Sequence, residues 1–454
     1  MNRLLTRNLA LVAASILLWA QPAAAQSILR DAETEAMFAA MATPVVTAAG
    51  LGPRNVRVVL VNDDSVNAFV AGGQTVFIHT GTLQAADTLN EVQGVFAHEV
   101  GHITGGHVPL GSRMMKAPMG ITILSMVLGL AAMAAGSGEA GAGIMAAGQQ
   151  AAQGSYLSFS RSQEASADAA GANYLIGAGI TGRGYLSFFK KMQQLEYRYG
   201  ITRKIGFMLD HPVSSERIAN LTDTLTTAAS WSRPPDPALE EQFRRVKAKL
   251  KGYVQTPDRT LQDYPESDKS IYAHYARAYA YHKAGFPDKA DAEAEALVRA
   301  EPNNPYFQEI KGQILLEAGK PQESLAPLRF ATEKSGQNPL IATTFGHALI
   351  ATEDKANYPE AIKVLRVAVA RDDENPTAWV QLGTVYEASG DTPRAALATA
   401  ERASMTGDSR TAAQSAAYAL ANITPNTPDW IRAQDIAMTA RNDIEDNPKK
   451  YKRK

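Results

Sequence analysis

Cysteine is absent from the 454 residues. Disulfides, thiolate catalysis, cysteine-ligated zinc and lipid attachment to an N-terminal cysteine are thereby excluded. Any metal held by this chain must be bound through His, Asp or Glu. Histidine is itself scarce, with eight residues: His79, His98, His102, His107, His211, His274, His282 and His347. An excess of one charge sign is also missing, since 45 Lys and Arg stand against 46 Asp and Glu. Phosphate binding needs a basic face, so nucleic acid is excluded as the main partner.

Long apolar runs are few. Residues 9–20 form one, preceded by Arg3 and Arg7 and followed by Ala23-Ala24-Ala25. Positive start, short apolar stretch and small-x-small ending predict a signal peptide over 1–25, cleaved after Ala25, and export to a bacterial periplasm. The other is the uncharged run over 117–138, APMGITILSMVLGLAAMAAGSG. It is marginal in length for a span and ends in small residues. The expectation is a buried or loosely packed helix, also a candidate mobile lid; a membrane-touching segment (peripheral membrane contact) and a true span are the alternatives.

Beyond those runs the chain is patterned. Residues 56–62, VRVVLVN, read as a buried strand. Residues 68–70 and 74–80 flank Gly72-Gly73, which supplies a tight hairpin. Thr88 with Glu91 fits a capping box, and Leu89, Val92, Phe96, Val100 and Ile103 then recur at helical spacing. Further helices are predicted over about 161–177 and 185–197. WSRPPDP, over 231–237, opens a predicted linker that runs to 268.

The second half repeats. Ala278, Gly312, Gly346 and Gly383 lie 34, 34 and 37 residues apart, each followed three positions later by Tyr281, Leu315, Leu349 or Tyr386. Asn304-Pro305, Asn338-Pro339 and Asn375-Pro376 recur in step. Trp379, Leu382, Gly383 and Tyr386 match the tetratricopeptide signature, so residues 269–425 are predicted to be stacked helical hairpins. The extra three residues of the third unit fit around 354–358. A C-terminal helix and basic tail are expected over 426–454, the tail either solvated or touching an acidic surface.

The chemistry is concentrated in HEVGH, residues 98–102. His98 and His102, at i and i+4, share a helix face and can reach one ion. Glu99 beside them can act as base. A third ligand is needed. The metzincin pattern would require a histidine at position 108, where this chain has Val108, with His107 one residue early; His107 is therefore read as lying at the helix surface or end. Glu164 is the better candidate. It shares a helix face with Asp168, which could accept a hydrogen bond from the far nitrogen of a ligand histidine. Ala165, Ala169 and Ala172 would let that helix pack closely on the first.

HExxH with the downstream ExxxD, the preceding Ser158-Phe159-Ser160-Arg161, Asn67-Ala68-Phe69, and His211-Pro212 ahead of Ser214 and Arg217 resemble the HtpX and CAAX-prenyl-protease family of zinc peptidases. The resemblance covers about 27–223. It implies an α+β gluzincin domain with a small sheet, here followed by an all-α tetratricopeptide solenoid. It implies one zinc ion on His98, His102 and Glu164, with Glu99 as base. It further implies that Val76, Phe77, Ile78, His79 and Thr80 form an edge strand on which substrate peptide lies extended. Asn67 is expected to stabilise a turn. His211 is expected either to cap a helix or to approach the metal, there as a fourth ligand that closes the site or as a catalytic group that assists the transition state. Arg217 would contact substrate or the active-site carboxylates, or else sit on the helix surface. By the same resemblance the partners are unfolded or misassembled outer-membrane proteins and their assembly machinery. The competing reading is a chaperone or adaptor whose repeats bind clients while proteolysis is latent.

Overall fold

The structure is a computed structural model that describes residues 27–107, 124–126, 138–199 and 211–451. The signal-peptide reading and most of the apolar run over 117–138 lie outside the described residues. No helix among the described residues is long and apolar enough to cross a membrane.

Four short strands make one mixed sheet: β1 (Ser27–Leu29), β2 (Arg57–Asn62), β3 (Ala68–Ala71) and β4 (Thr75–His79). Their spatial order is β1-β2-β4-β3, with β2 and β4 parallel and both outer pairs antiparallel. The hairpin falls at Gly72-Gly73, whose φ values of 60° and 95° suit glycine. This order corrects one expectation. Val76, Phe77, Ile78 and His79 are paired on both sides, and Thr80 already belongs to α2 (Thr80–Ala85). β4 is therefore a central strand, because β2 pairs in parallel along the edge that the β3–β4 hairpin leaves open.

Against the sheet pack α1 (Ala32–Ala48) and α3 (Leu89–Thr104); α4 (Gly138–Gly177) and α5 (Arg183–Tyr199) pack on α3, and α6 (Ser215–Thr226) packs on α4 and α5. Helix α3 begins as its capping pattern predicts, with the Thr88 hydroxyl accepting from the Glu91 amide. Val92, Phe96 and Val100 are fully buried in the core it shares with the sheet. Helix α4 starts well before the predicted position 161. It meets α3 through glycines: a Cβ on Gly101 would lie 2.5 Å from the Ala167 carbonyl oxygen, and one on Gly171 would lie 2.9 Å from the Ala97 backbone. Ala172 is in that contact region, whereas Ala165 and Ala169 face solvent. The close approach thus uses the face carrying Glu164, Ala167, Asp168 and Gly171.

The span 231–268 is not a bare linker. It contains α7 (Pro237–Val254) and α8 (Pro257–Asp263). Phe243, Val246 and Leu250 of α7 are buried in the core of the first domain. Glu240 of α7 accepts hydrogen bonds from the Leu89 and Asn90 amides, at 2.9 and 3.1 Å, and so covers the N-terminus of α3.

The repeats follow as helical hairpins: α9 (Ile271–Lys283) with α10 (Pro287–Ala300), α11 (Pro305–Glu317) with α12 (Pro321–Lys334), α13 (Pro339–Ala351) with α14 (Tyr358–Arg371), and α15 (Pro376–Ala388) with α16 (Thr392–Met405). A further pair, α17 (Ser409–Asn422) and α18 (Pro428–Asp446), extends the stack past the predicted four units. Each recurring Asn caps its helix while the Pro occupies the first turn, where its missing N–H costs nothing. The recurring small residues mark hairpin contacts: a Cβ on Gly312 would meet Leu328 at 2.5 Å, and one on Gly346 would meet Leu365 at 2.5 Å. The extra residues of the third unit form a 3-10 turn over Lys355–Asn357.

Candidate active site

Three helices and one turn converge on a single buried cluster. Helix α3 contributes His98, Glu99 and His102; α4 contributes Glu164 and Asp168; the turn before α6 contributes His211, and α6 itself Arg217. All seven side chains are buried. The His98 Nε2 lies 3.1 Å from His102 Nε2 and 3.3 Å from a Glu164 oxygen, and His102 Nε2 lies 3.4 Å from the other Glu164 oxygen. Two donors bound at about 2.0–2.1 Å to one tetrahedral ion stand about 3.3–3.4 Å apart. The three observed separations fit such an ion. His211 Nδ1 is also 3.2 Å from His98 Nε2 and 3.1 Å from Glu164, so a fourth donor completes the set, all mutually within 4.8 Å.

The surrounding contacts orient these donors. His98 Nδ1 is 3.0 Å from Asp168 Oδ1, so the carboxylate accepts a hydrogen bond from the ring N–H and turns Nε2 towards the cluster. Asp168 also receives the Arg217 guanidinium through Nε at 2.6 Å and Nη2 at 2.8 Å. Arg217 Nη1 reaches Glu164 at 3.0 Å and donates to the Pro212 carbonyl at 2.6 Å. Arg217 is thus on the active-site carboxylates rather than on the surface. Ser214 caps α6 through the Arg217 amide, and His211 stands 3.4 Å from Glu99.

Burial and hydrogen bonding pull the four groups in different directions. Burial presses down on His98, but hydrogen bonds to Asp168 and Glu164 outweigh it and hold the imidazole up at about 9. Burial does prevail at His102, pushed down to about 3. Glu164 is held far below the usual carboxylate range, its burial outweighed by hydrogen bonds from the three histidines. Asp168 is likewise lowered against its burial by Arg217 and His98.

Two neighbours were not legible as site residues. Tyr185, on α5, donates to Asp168 Oδ1 at 2.9 Å and lies 3.1 Å from His98 Nδ1. Nothing in its local sequence sets it apart from a core tyrosine. His107 sits at the helix end, as expected, yet its Nδ1 is 2.8 Å from His102 Nδ1. A Cβ on Gly105 would strike the His107 ring at 2.4 Å, so glycine is what lets the ring fold back. His79, by contrast, is buried against Ser65 at 2.9 Å and is no part of the donor cluster, and the Asn67 backbone bonds the Thr82 hydroxyl.

Residues 29–225 match the model of peptidase family M48. They form an M48 peptidase domain. Residues 275–339 and 351–410 match tetratricopeptide repeats. The chain therefore carries an M48 peptidase domain with a repeat solenoid behind it. It is 24% identical over 359 residues to the beta-barrel assembly-enhancing protease of Yersinia pestis, covering 77% of this chain and 71% of that one. The protein of the same name from Escherichia coli strain K12 is 25% identical over 358 residues, with the same shares covered. The solved structure of YrrB, a TPR protein with an unusual peptide-binding site, is 20% identical and covers 38% of this chain and 89% of that one, with a TM-score of 0.32.

Proposed function

We propose that this protein is a zinc-dependent endopeptidase of the periplasm, acting in the assembly and quality control of outer-membrane β-barrel proteins. The carrying observation is the donor geometry: His98, His102 and Glu164 at 3.1–3.4 Å from one another, with Glu99 beside them. The names of the two relatives support the assembly role. A zinc ion held by those three residues supplies Lewis acidity to a scissile carbonyl and to water. Glu99 takes the proton from the attacking water and returns it to the departing amine. Arg217 and Asp168 act by orientation: Asp168 fixes the His98 tautomer, and Arg217 holds both carboxylates in place. Substrate peptide runs beside β3, the open sheet edge that contacts α3.

His211 gives this reading a latent form. With its Nδ1 at the fourth donor position, it closes the site that water and substrate need. The repeats would then hold clients while proteolysis waits on the withdrawal of His211. Metal content and casein cleavage, measured together on the full chain and on Glu99→Gln, test the proposal. About one zinc per chain in both, with cleavage only in the parent, is expected. If the parent is silent, His211→Ala should cut; silence of that variant as well, or no zinc in either protein, would sink the reading.

A further inference from the structure

His107 is placed in the sequence where a helix would waste it. Five residues beyond His102, it would stand about 140° round a continuing helix and point away from the donor cluster. Helix α3 does not continue. It ends at Thr104, and Gly106 takes a left-handed φ of 63°, which turns the chain back on itself. Gly105 leaves room for the returning ring, since a Cβ there would strike the His107 Nε2. The two glycines together deliver the His107 Nδ1 to 2.8 Å from the His102 Nδ1. We propose that His107 is a positioning residue of the metal site: its Nδ1 accepts the His102 Nδ1–H and holds the second histidine of the donor set in its metal-binding tautomer.

This role rests on the zinc reading of the donor cluster, which also fixes the direction of the bond. Two nitrogen lone pairs at 2.8 Å repel each other, so one ring proton lies between the two Nδ1 atoms. Were His107 the donor, a neutral His102 would carry its own proton on Nε2. That atom faces His98 Nε2 at 3.1 Å and Glu164 at 3.4 Å, so the proton would fill the place of a metal. With His102 as the donor, its Nε2 keeps a free lone pair turned into the cluster. The rings meet at 75° with their centroids 4.9 Å apart, edge to face rather than stacked, so the contact is the shared proton and not ring packing. His98 is held in the same tautomer by Asp168 at 3.0 Å. The two supports differ in kind. Asp168 is a buried carboxylate balanced by Arg217, whereas His107 is a half-buried imidazole at the helix end. His102 is thereby oriented without a further negative charge, or a cation to balance it, entering the site.

The test compares His107→Leu with His107→Asn in the full chain. Leucine and asparagine have nearly the same shape, and only asparagine sets an acceptor oxygen where the His107 Nδ1 stands. Zinc affinity is read by competition with a chromophoric chelator, and ligand geometry by the visible absorption of the cobalt-loaded protein. His107→Leu should bind zinc about 10–100-fold more weakly than the parent, while His107→Asn should stay within about threefold of it. The cobalt bands should move in the leucine variant and return to the parent's in the asparagine one, a recovery that loosened packing alone would not produce. A leucine variant that binds zinc as tightly as the parent, or an asparagine variant as weak as the leucine one, overturns the role of His107 and leaves the zinc site standing. A parent chain that binds no zinc overturns both.

Discussion

Gly101→Ala is the smallest change that should separate metal binding from folding. Gly101 lies on α3 between the two histidines of the donor set and His102 follows it directly, while Ala167 lies on α4 between Glu164 and Asp168. A Cβ at 101 would sit 2.5 Å from the Ala167 carbonyl oxygen, where ordinary contact begins at 3.4 Å. About 0.9 Å must open between the helices, and the obstacle is backbone, which cannot rotate away. The separations across that seam, 3.3 and 3.4 Å, would then grow towards about 4.2 Å. Two donors at about 2.1 Å from one ion are at most about 4.2 Å apart, and only when collinear with it. Partial relaxation softens this, so a loss of about 10–100-fold in zinc affinity is expected. Stability should respond far less. Overpacking costs about 1–3 kcal/mol, whereas alanine in a helix gains up to about 1 kcal/mol over glycine. Zinc competition against a chromophoric chelator reads the first effect and a urea titration of the metal-free chain reads the second. A variant that keeps its zinc affinity within about threefold of the parent would refute the claim that this glycine sets the donor spacing.

Asp168→Asn should cost about 3–5 kcal/mol in a denaturant titration, because it leaves the buried Arg217 without its bidentate partner. The same change should weaken metal binding about 10–100-fold in a chelator competition, through loss of the His98 contact. Lys249→Met should destabilise by a similar about 3–5 kcal/mol, since Asp31 and Glu33 lose their shared cation in the interior. Glu309 gives a pH signature. Its carboxyl is raised to about 8 in the folded chain from an ordinary value of 4.5, so the folded state holds the proton more tightly. The resulting stability is fully present below pH 4.5 and is lost as pH rises through 8. Glu309→Gln should therefore gain on the parent by about 1–3 kcal/mol between pH 5 and 9 in paired urea titrations, and parallel curves would count against the assignment.

Much of the site was readable because helical spacing is local geometry. Residues four apart share a face whatever the rest of the chain does, which is why His98 with His102, and Glu164 with Asp168, could be paired from sequence. The 34-residue repeat was legible for the same reason, since each hairpin contacts its neighbours through recurring small residues such as Gly312 and Gly346. The hairpin at Gly72-Gly73 and the Thr88 cap are likewise settled within a few residues.

Tertiary structure decided what depends on distant partners. The hairpin pairs β4 with β3, but nothing local says what lies on the other side of β4, so Val76 to His79 read as an edge until β2 was seen to pair there. Ala165 and Ala169 looked like the packing surface of α4, yet Gly171 and Ala167 meet α3, because the turn of the helix about its axis is fixed by its neighbour. The proline-rich start of 231–268 signalled a break, while Phe243, Val246 and Leu250 pull α7 into the first core. Tyr185 and His107 join the site through contacts spanning 87 and 5 residues, and neither carries a signature of its own. Short-range spacing determines which side chains travel together; long-range packing alone determines which such groups meet, and the metal cluster needed both.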